Sequence, residues 1–117
     1  MLSFYELNFW KRSHELCLKI YNITRDFPKP EVYGVTSQIR RSSSSVPTNI
    51  AEGCGRRSKK EFGYFLNIAC GSLSEVEYQL ILSKDLNYIS EEISNLLINE
   101  VIEIRKMIYT YISRIQN

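Results

Sequence analysis

The chain has 117 residues, 44% of them hydrophobic and 24% charged, which is typical of a single soluble globular domain. Five glycines and three prolines are few for a fold rich in tight turns, so a mainly β structure is disfavoured. His14 is the single histidine, which excludes a multi-histidine metal site and leaves little for a histidine-based catalytic triad.

The charges are unevenly distributed along the chain. The formal net charge is +2, but residues 35–60 contain six cations against the single acid Glu52, a local net charge of +5. The remainder of the chain is therefore mildly acidic, at −3. Such a basic segment is typical of a contact with a polyanion, and it is equally compatible with a solvated polar surface.

The cysteines and the hydropathy pattern predict where in the cell the protein is found. Cys17, Cys54 and Cys70 are odd in number and widely spaced, which disfavours a disulfide framework or a zinc site and favours reduced thiols. Residues 1–8 lack the basic start and apolar run of a signal peptide. No apolar run approaches the roughly eighteen residues of a transmembrane helix. We therefore expect a cytoplasmic protein without a membrane partner.

A proline-rich break separates the first two predicted helices. Apolar residues recur at helical spacing over about 8–27, and the sequence Phe27-Pro28-Lys29-Pro30 ends this helix. The second helix is predicted over about 31–55, kinked at Pro47 because proline removes one helical hydrogen bond. Its apolar stripe keeps its phase across Pro47, and serine hydroxyls can satisfy freed carbonyls. Two helices broken near Val46 are the alternative.

The last two helices have clearer starts. Ser58-Lys59-Lys60-Glu61 is a capping box, in which the serine accepts from the N3 amide and the glutamate reaches back to the cap. An apolar heptad seam follows, which predicts a helix over about 58–86. The fourth helix, over about 90–115, has two acids in its first turn, where the helix dipole favours them. The chain is thus predicted to be all-α, an antiparallel up-down four-helix bundle in one domain over residues 1–117.

Helix two carries the candidate functional residues. Its polar stripe falls at helical steps of three and four: Gln38, Arg41, Ser45, Asn49, Glu52 and Arg56. In a functional interpretation, arginines with two-pronged donor geometry contact phosphates beside the corner between helices two and three. The candidate nucleic-acid-binding residues are then Arg40, Arg41, Arg56, Arg57, Lys59 and Lys60.

A structural interpretation of the same stripe is favoured for its middle part. Arg41 would pair with Glu52 on a neighbouring helix or subunit, and Asn49 would bond a backbone group. The resulting interface network would comprise Gln38, Arg41, Ser45, Asn49 and Glu52. A third line on helix two consists mostly of small residues and could form a packing seam within or between subunits: Arg40, Ser44, Pro47, Ala51 and Gly55.

No pattern of an enzyme site is found in the sequence. His14 and Glu15 are adjacent and would point about 100° apart on a helix, so they do not converge. The Gly53-Cys54-Gly55 segment is no phosphate loop, because no Gly-Lys-Ser/Thr follows it. Nearby cations could lower the pKa of Cys54, although inert packing is the favoured role for this thiol. We therefore predict a protein that is not an enzyme, with no catalytic residue, metal or cofactor.

Two stretches of helix two carry a family resemblance. Ser37-Gln38-Ile39-Arg40-Arg41 and the Ser-Val-Pro-Thr-Asn-Ile-Ala-Glu-Gly sequence of residues 45–53 resemble the signature of the bacterial 23S rRNA intervening-sequence proteins. These are also called the S23 or four-helix-bundle protein family. The similarity runs without gaps over roughly residues 7–88, whereas helix four matches only as a pattern. The chain departs at Ser42, Ser43 and Ser44, where the family more often has small apolar residues.

The resemblance implies an up-down four-helix bundle that assembles as a ring-like homopentamer, and it brings no catalytic residues. Genes of the family lie within intervening sequences of ribosomal RNA genes and elsewhere in bacterial genomes. The family is also similar to the accessory protein of diversity-generating retroelements, a basic pentamer that partners a reverse transcriptase and nucleic acid. We therefore expect a homo-oligomer that binds nucleic acid, RNA in the first place. A scaffold or adaptor for an RNA-processing enzyme or reverse transcriptase is the alternative.

Overall fold

The computed structural model describes residues 3–116, which form four helices joined by short turns and contain no strand. The helices are α1 (Asn8–Thr24), α2 (Val35–Cys54), α3 (Lys59–Asp85) and α4 (Glu91–Ile115), with short 3-10 helices at Phe4–Glu6 and Lys29–Tyr33. Each helix packs against two others in the cyclic order α1–α2–α3–α4, and α2 with α3 form the most extensive contact. The predicted all-α four-helix bundle is confirmed.

Side-chain pairs show that packed neighbours run antiparallel. Between α1 and α4, Arg12 pairs with Glu103 and Lys19 with Glu100, so the numbering rises along one helix as it falls along the other. Between α3 and α4, Arg105 pairs with Glu77. The bundle measures 44 × 23 × 19 Å along its principal axes.

The predicted apolar stripes form the core. The α3 seam lies fully inside the bundle at Leu66, Ala69, Leu73, Val76 and Leu80, each 0% exposed. The stripes of α2 and α4 face it from either side, with Ile39, Val46 and Ile50 on α2 and Val101, Ile104 and Ile108 on α4. The buried stripe of α4 starts at Leu97, one turn later than the sequence pattern predicts, and Ile93 remains exposed.

The break between α1 and α2 is longer than predicted. The first helix ends at Thr24, not near Phe27, because Pro28 disfavours helical backbone at the residue before it. The chain continues in a tighter turn, in which the amide of Phe27 donates to the carbonyl of Thr24 three residues earlier. The second helix begins at Val35, not near Glu31, because residues 29–33 form a 3-10 helix that contains Pro30. The predicted bounds of about 8–27 and 31–55 are wrong at these two ends.

The second helix is continuous through Pro47, so the alternative of two broken helices is wrong. Proline leaves the carbonyl of Ser43 without its usual amide donor. The serine hydroxyls donate elsewhere, to the carbonyls of Gln38, Arg40 and Arg41 one turn earlier. The helix is therefore rich in hydroxyl-to-backbone bonds upstream of the proline.

Caps fix the ends of α3 and α4. Ser58 accepts from the amide of Glu61 at 3.1 Å, as predicted, but the Glu61 carboxylate accepts from the Ser58 hydroxyl instead of the cap amide. Ser90 caps α4 by accepting from the amide of Ile93. Between these helices Asn87 adopts φ 64°, the left-handed conformation that ends many helices. Short, well-capped turns therefore place the helix ends firmly beside one another.

Replacing either of two glycines by alanine should change the stability in opposite directions. A Cβ at Gly71 would have no atom within 4 Å, so Gly71→Ala should raise the unfolding free energy by about 0.5–1 kcal/mol through helix propensity. A Cβ at Gly53 would lie 2.8 Å from the Phe62 ring and 3.0 Å from Cβ of Phe65. Gly53→Ala should therefore lower the unfolding free energy by about 1 kcal/mol, because overpacking outweighs the gain in propensity. Urea unfolding of both variants measures the difference, and equal midpoints would contradict it.

Candidate nucleic-acid interface

Four of the six predicted basic residues lie together where α2 turns into α3. Gly55 ends α2 and Ser58 caps α3, so the turn between them is only a few residues long. The side chains of Arg56, Arg57, Lys59 and Lys60 are all exposed. We call these four residues the basic corner. A turn this short projects its cations outward, because the backbone below them is occupied by the two helix ends.

The cations of the basic corner differ in their partners. Arg56 pairs with Glu52 at 2.6 Å and lies 4.7 Å from the centre of the Phe65 ring. Within residues 3–116, Arg57, Lys59 and Lys60 form no ion pair. The first cation is thus held in place and partly neutralised, and the other three present their full charge to solvent.

The other two predicted residues do not join this corner. Arg40 packs against α1, donating to the hydroxyl of Thr24 at 2.8 Å and lying over the Tyr21 ring at 4.8 Å. Arg41 is exposed, but it precedes Arg56 by fifteen residues, or about 22 Å along a helix. The basic segment of the sequence therefore forms two separate regions in the structure.

The predicted polar network is also divided. Ser45 shares a 2.9 Å hydrogen bond with Ser72 of α3 and accepts from the amide group of Asn49, which also donates to the Ser45 carbonyl. The Ser45–Ser72 bond joins α2 to α3 inside one chain, whereas the two Asn49 bonds lie within α2. Gln38 is exposed and engaged through its backbone carbonyl, which accepts from Ser42.

The expected pairing of Arg41 with Glu52 does not occur within the described chain. Glu52 pairs instead with Arg56, one turn further along the same helix. A pair at this spacing on an exposed helix surface contributes about 0.3–0.5 kcal/mol, so it orients Arg56 more than it stabilises the fold. Arg41 borders a shallow hollow with Ser45, Ser72 and Glu75.

The last turns of α4 bring further cations to the same end of the bundle. Tyr111 of α4 borders a hollow with Arg57 and Lys59, and it also lines a groove that contains Lys106 and Arg114. Sequence reasoning did not select these two cations, because they lie about fifty residues from the corner. The antiparallel topology was the available signal, since it predicts that the end of helix four meets the start of helix three.

The turn from α3 to α4, at the opposite end of the bundle, is acidic. The turn from α3 to α4 carries Asp85, Glu91 and Glu92, all exposed, against the partly exposed Lys84. Lys84 itself lies 3.7 Å from Asp85. A polyanion is therefore attracted to the end that contains the basic corner and repelled by this turn.

The thiol beside the corner is not activated by its cationic neighbours. Cys54 is half-buried, and loss of solvation raises its pKa above the ordinary value for a cysteine. Burial also raises the pKa of Cys17, and it raises the pKa of Cys70 to about 11. The interpretation of Cys54 as a reactive thiol is thus disfavoured, since the thiolate is the nucleophile.

The remaining candidate chemistry is sparse. His14 is exposed and stacks on the Trp10 ring, with the ring centres 5.3 Å apart. Across residues 3–116, no three side chains of His, Cys, Asp or Glu come together in a way that could hold a metal ion. Over the same residues, no helix has the length and apolar character needed to cross a bilayer.

Comparison with known proteins identifies relatives of this chain. A family model described as 23S rRNA-intervening sequence protein matches residues 5–110. The crystal structure of a protein of unknown function from the S23 ribosomal protein family of Bacteroides thetaiotaomicron superposes with a TM-score of 0.80 at 29% sequence identity. The match covers 89% of this chain and 97% of that one. No curated protein matches the sequence.

The raised cysteine pKa values predict slow and strongly pH-dependent alkylation. In native protein, the rate of Cys54 modification by iodoacetamide should still be increasing at pH 9, because the thiolate fraction keeps rising with pH until the pH exceeds the raised pKa. Peptide mass spectrometry at pH 7, 8 and 9 measures the rate, and the urea-unfolded chain is the control, in which all three cysteines should react readily. A native rate for Cys54 that is already constant by pH 8 would contradict this account.

Proposed function

The chain belongs to the 23S rRNA-intervening sequence protein family, and we propose that it is a non-enzymatic homo-oligomeric bundle that binds RNA through the basic corner. The observation that carries the proposal is a set of three exposed cations without an ion pair in the described chain: Arg57 in the turn from α2 to α3, and Lys59 and Lys60 at the start of α3. Arginine and lysine side chains in such an arrangement are typical phosphate ligands.

The position of the two lysines supports a role in binding. Lys59 and Lys60 are the first two residues of α3, where the positive end of the helix dipole disfavours cations by about 0.3–1 kcal/mol each. The helix start is already stabilised by Ser58 and Glu61. These lysines therefore contribute nothing to the cap, and a contact with an anion gives a physical reason for their presence.

RNA is the nucleic acid that the family description favours, because it places the family with an intervening sequence of 23S rRNA. The basic corner does not require a duplex, because its cations lie at a convex turn and no helix is placed to enter a groove. Contacts of this kind read the phosphate backbone and carry little sequence preference.

The outer surface of the bundle supports self-association. Large apolar side chains remain exposed on α3 and α4, including Tyr78, Leu96, Ile102 and Tyr109. On α2 the line of small residues around Ser44, Pro47 and Ala51 is only partly covered by the rest of the chain. A homo-oligomer would bury such surfaces, and the number of five copies is taken from the family resemblance.

An adaptor for an RNA-processing enzyme or reverse transcriptase is the second candidate. This second proposal is favoured by an apolar groove of about 660 Å³ between the start of α1 and the end of α4. The floor of this groove includes Leu7, Phe9 and Met107. The adaptor proposal predicts a protein partner whose binding survives nuclease treatment and high salt.

Removal of corner cations should weaken RNA binding. The double variant Arg57→Ala/Lys59→Ala should lose roughly tenfold in affinity for a single-stranded RNA at about 50 mM salt, because two phosphate contacts are removed. The slope of log K against log salt should fall in magnitude by about 1.4, the value expected for two single-strand contacts. Fluorescence anisotropy over a salt series measures both quantities.

The matched control is Arg25→Ala/Lys29→Ala, which removes one arginine and one lysine that are exposed at the opposite end of the bundle. Its affinity should stay within about twofold of the wild type. Absence of binding by the wild type at low salt, or equal losses in the two double variants, would refute the basic corner as an RNA-binding site.

Self-association should be visible at micromolar concentration. Native mass spectrometry is expected to give a pentamer, and the double variant Tyr78→Glu/Ile102→Glu should shift it toward monomer by placing charges on exposed apolar positions of α3 and α4. The control Leu18→Glu changes an exposed apolar residue of α1 and should leave the assembly intact. A monomeric wild type would contradict the proposal.

A further inference from the structure

A recess opens beside the basic corner, between the start of α3 and the end of α4. It has a volume of about 470 Å³, within the range of small-molecule sites. The residues that line it are Lys59, Lys60, Gly63, Tyr64, Asn67, Ile115 and Gln116. The recess therefore has cations at its rim, an apolar and backbone floor, and an aromatic ring with two side-chain amides in its walls.

Three of these residues form a line along α3. Lys60, Tyr64 and Asn67 are separated by steps of four and three, so they lie on one face of the helix. Successive members are about 6 Å and 4.5 Å apart along the helix axis. A cation, an aromatic ring and an amide are thus presented in order, and these groups suit a phosphate, the face of a base and the edge of a base.

The aromatic member is open to a ligand. Tyr64 is 63% exposed, although a tyrosine side chain is large and mostly apolar. Its ring meets the Phe65 ring edge-on, with centres 5.3 Å apart, and the Phe65 ring in turn lies under Arg56. The ring is consequently oriented by its neighbour while most of its surface remains available for stacking.

The amides and the floor leave space and hydrogen-bonding capacity. The side chains of Asn67 and Gln116 make no hydrogen bond within residues 3–116, so both can donate and accept toward a ligand. Gly63 has no side chain to fill the floor, and a Cβ built there would have Gln116 Nε2, at 4.0 Å, as its nearest neighbour. The recess is therefore not closed by the packing of α3 against α4.

We infer that this recess binds one unpaired base of a single-stranded RNA, with the base stacked on Tyr64 and its edge facing Asn67 and Gln116. Lys59 and Lys60 at the rim would contact the phosphates on either side of that base. This inference rests on the proposed RNA binding and adds a preference that charge alone does not give. A base within a duplex is stacked between its neighbours and unavailable, whereas a base of a single strand can be turned out onto a protein ring.

The test compares a 12-nucleotide single-stranded RNA with the duplex of the same sequence. Wild-type protein should bind the single strand more tightly, and Tyr64→Ala should lose about 5- to 100-fold for the single strand with an unchanged salt slope, because stacking is lost and no phosphate contact is removed. Binding of the duplex should not change. Fluorescence anisotropy at two salt concentrations gives the affinity and the salt slope for each of the four pairs of protein (wild type or Tyr64→Ala) and RNA (single strand or duplex).

Three further variants keep the test independent of folding. Tyr64→Phe restores the ring and should recover the affinity that Tyr64→Ala loses. Gly63→Leu fills the recess without removing any lining side chain, and it should cause a similar loss for the single strand. Tyr33→Ala removes an exposed tyrosine (93%) from the 3-10 helix at the other end of the bundle, outside the recess, and it should bind as wild type does.

The outcomes separate the two proposals. If Arg57→Ala/Lys59→Ala weakens binding but Tyr64→Ala binds the single strand as wild type does, the recess is refuted and the basic corner stands. Equal losses of single strand and duplex in Tyr64→Ala would also refute base stacking. If wild-type protein binds neither RNA at low salt, both the recess and the basic corner are refuted.

Discussion

The close approach of α2 to α3 is the constraint on which the candidate site depends. Ser45 and Ser72 meet at 2.9 Å across this interface, and Gly53 leaves no space for a side chain beside Phe62 and Phe65. Helices packed this closely can be joined by a very short turn. Because that turn has no room to fold its side chains inward, the cations at residues 56–60 are held on the outside of the bundle.

The serine-rich middle of α2 is compatible with burial because its hydroxyls are satisfied within the helix. Ser42 donates to the carbonyl four residues earlier, and Ser43 donates to the carbonyl three residues earlier. A buried hydroxyl that has a partner costs far less than one that has none. Serine is itself a small residue, so these positions take up little volume between the helices. The close packing of α2 is therefore retained although this part of the helix is polar.

Much of the fold could be predicted from the sequence, whereas the site could be predicted only in part. The heptad seam of α3 and the caps at Ser58 and Ser90 are local patterns, and local patterns fix where a helix starts and which face is buried. The ends of the first two helices were misplaced because the effect of Pro28 spreads over several residues. Arg40 is predicted to bind phosphate, but in the structure it contacts Thr24 of α1. That contact depends on how α1 packs against α2, which cannot be predicted from the local sequence around Arg40.

Folding and the charge of the corner are largely separable in this chain. The start of α3 is secured by Ser58 and Glu61, which contact each other through the backbone and side chain without help from the adjacent lysines. The lysines at positions 59 and 60 even oppose the helix dipole. Charge at this turn can therefore change with little effect on the core. The acids of the turn from α3 to α4 lie at the other end of a bundle 44 Å long, so they repel a polyanion there without weakening attraction at the corner, because salt screens charges at that distance.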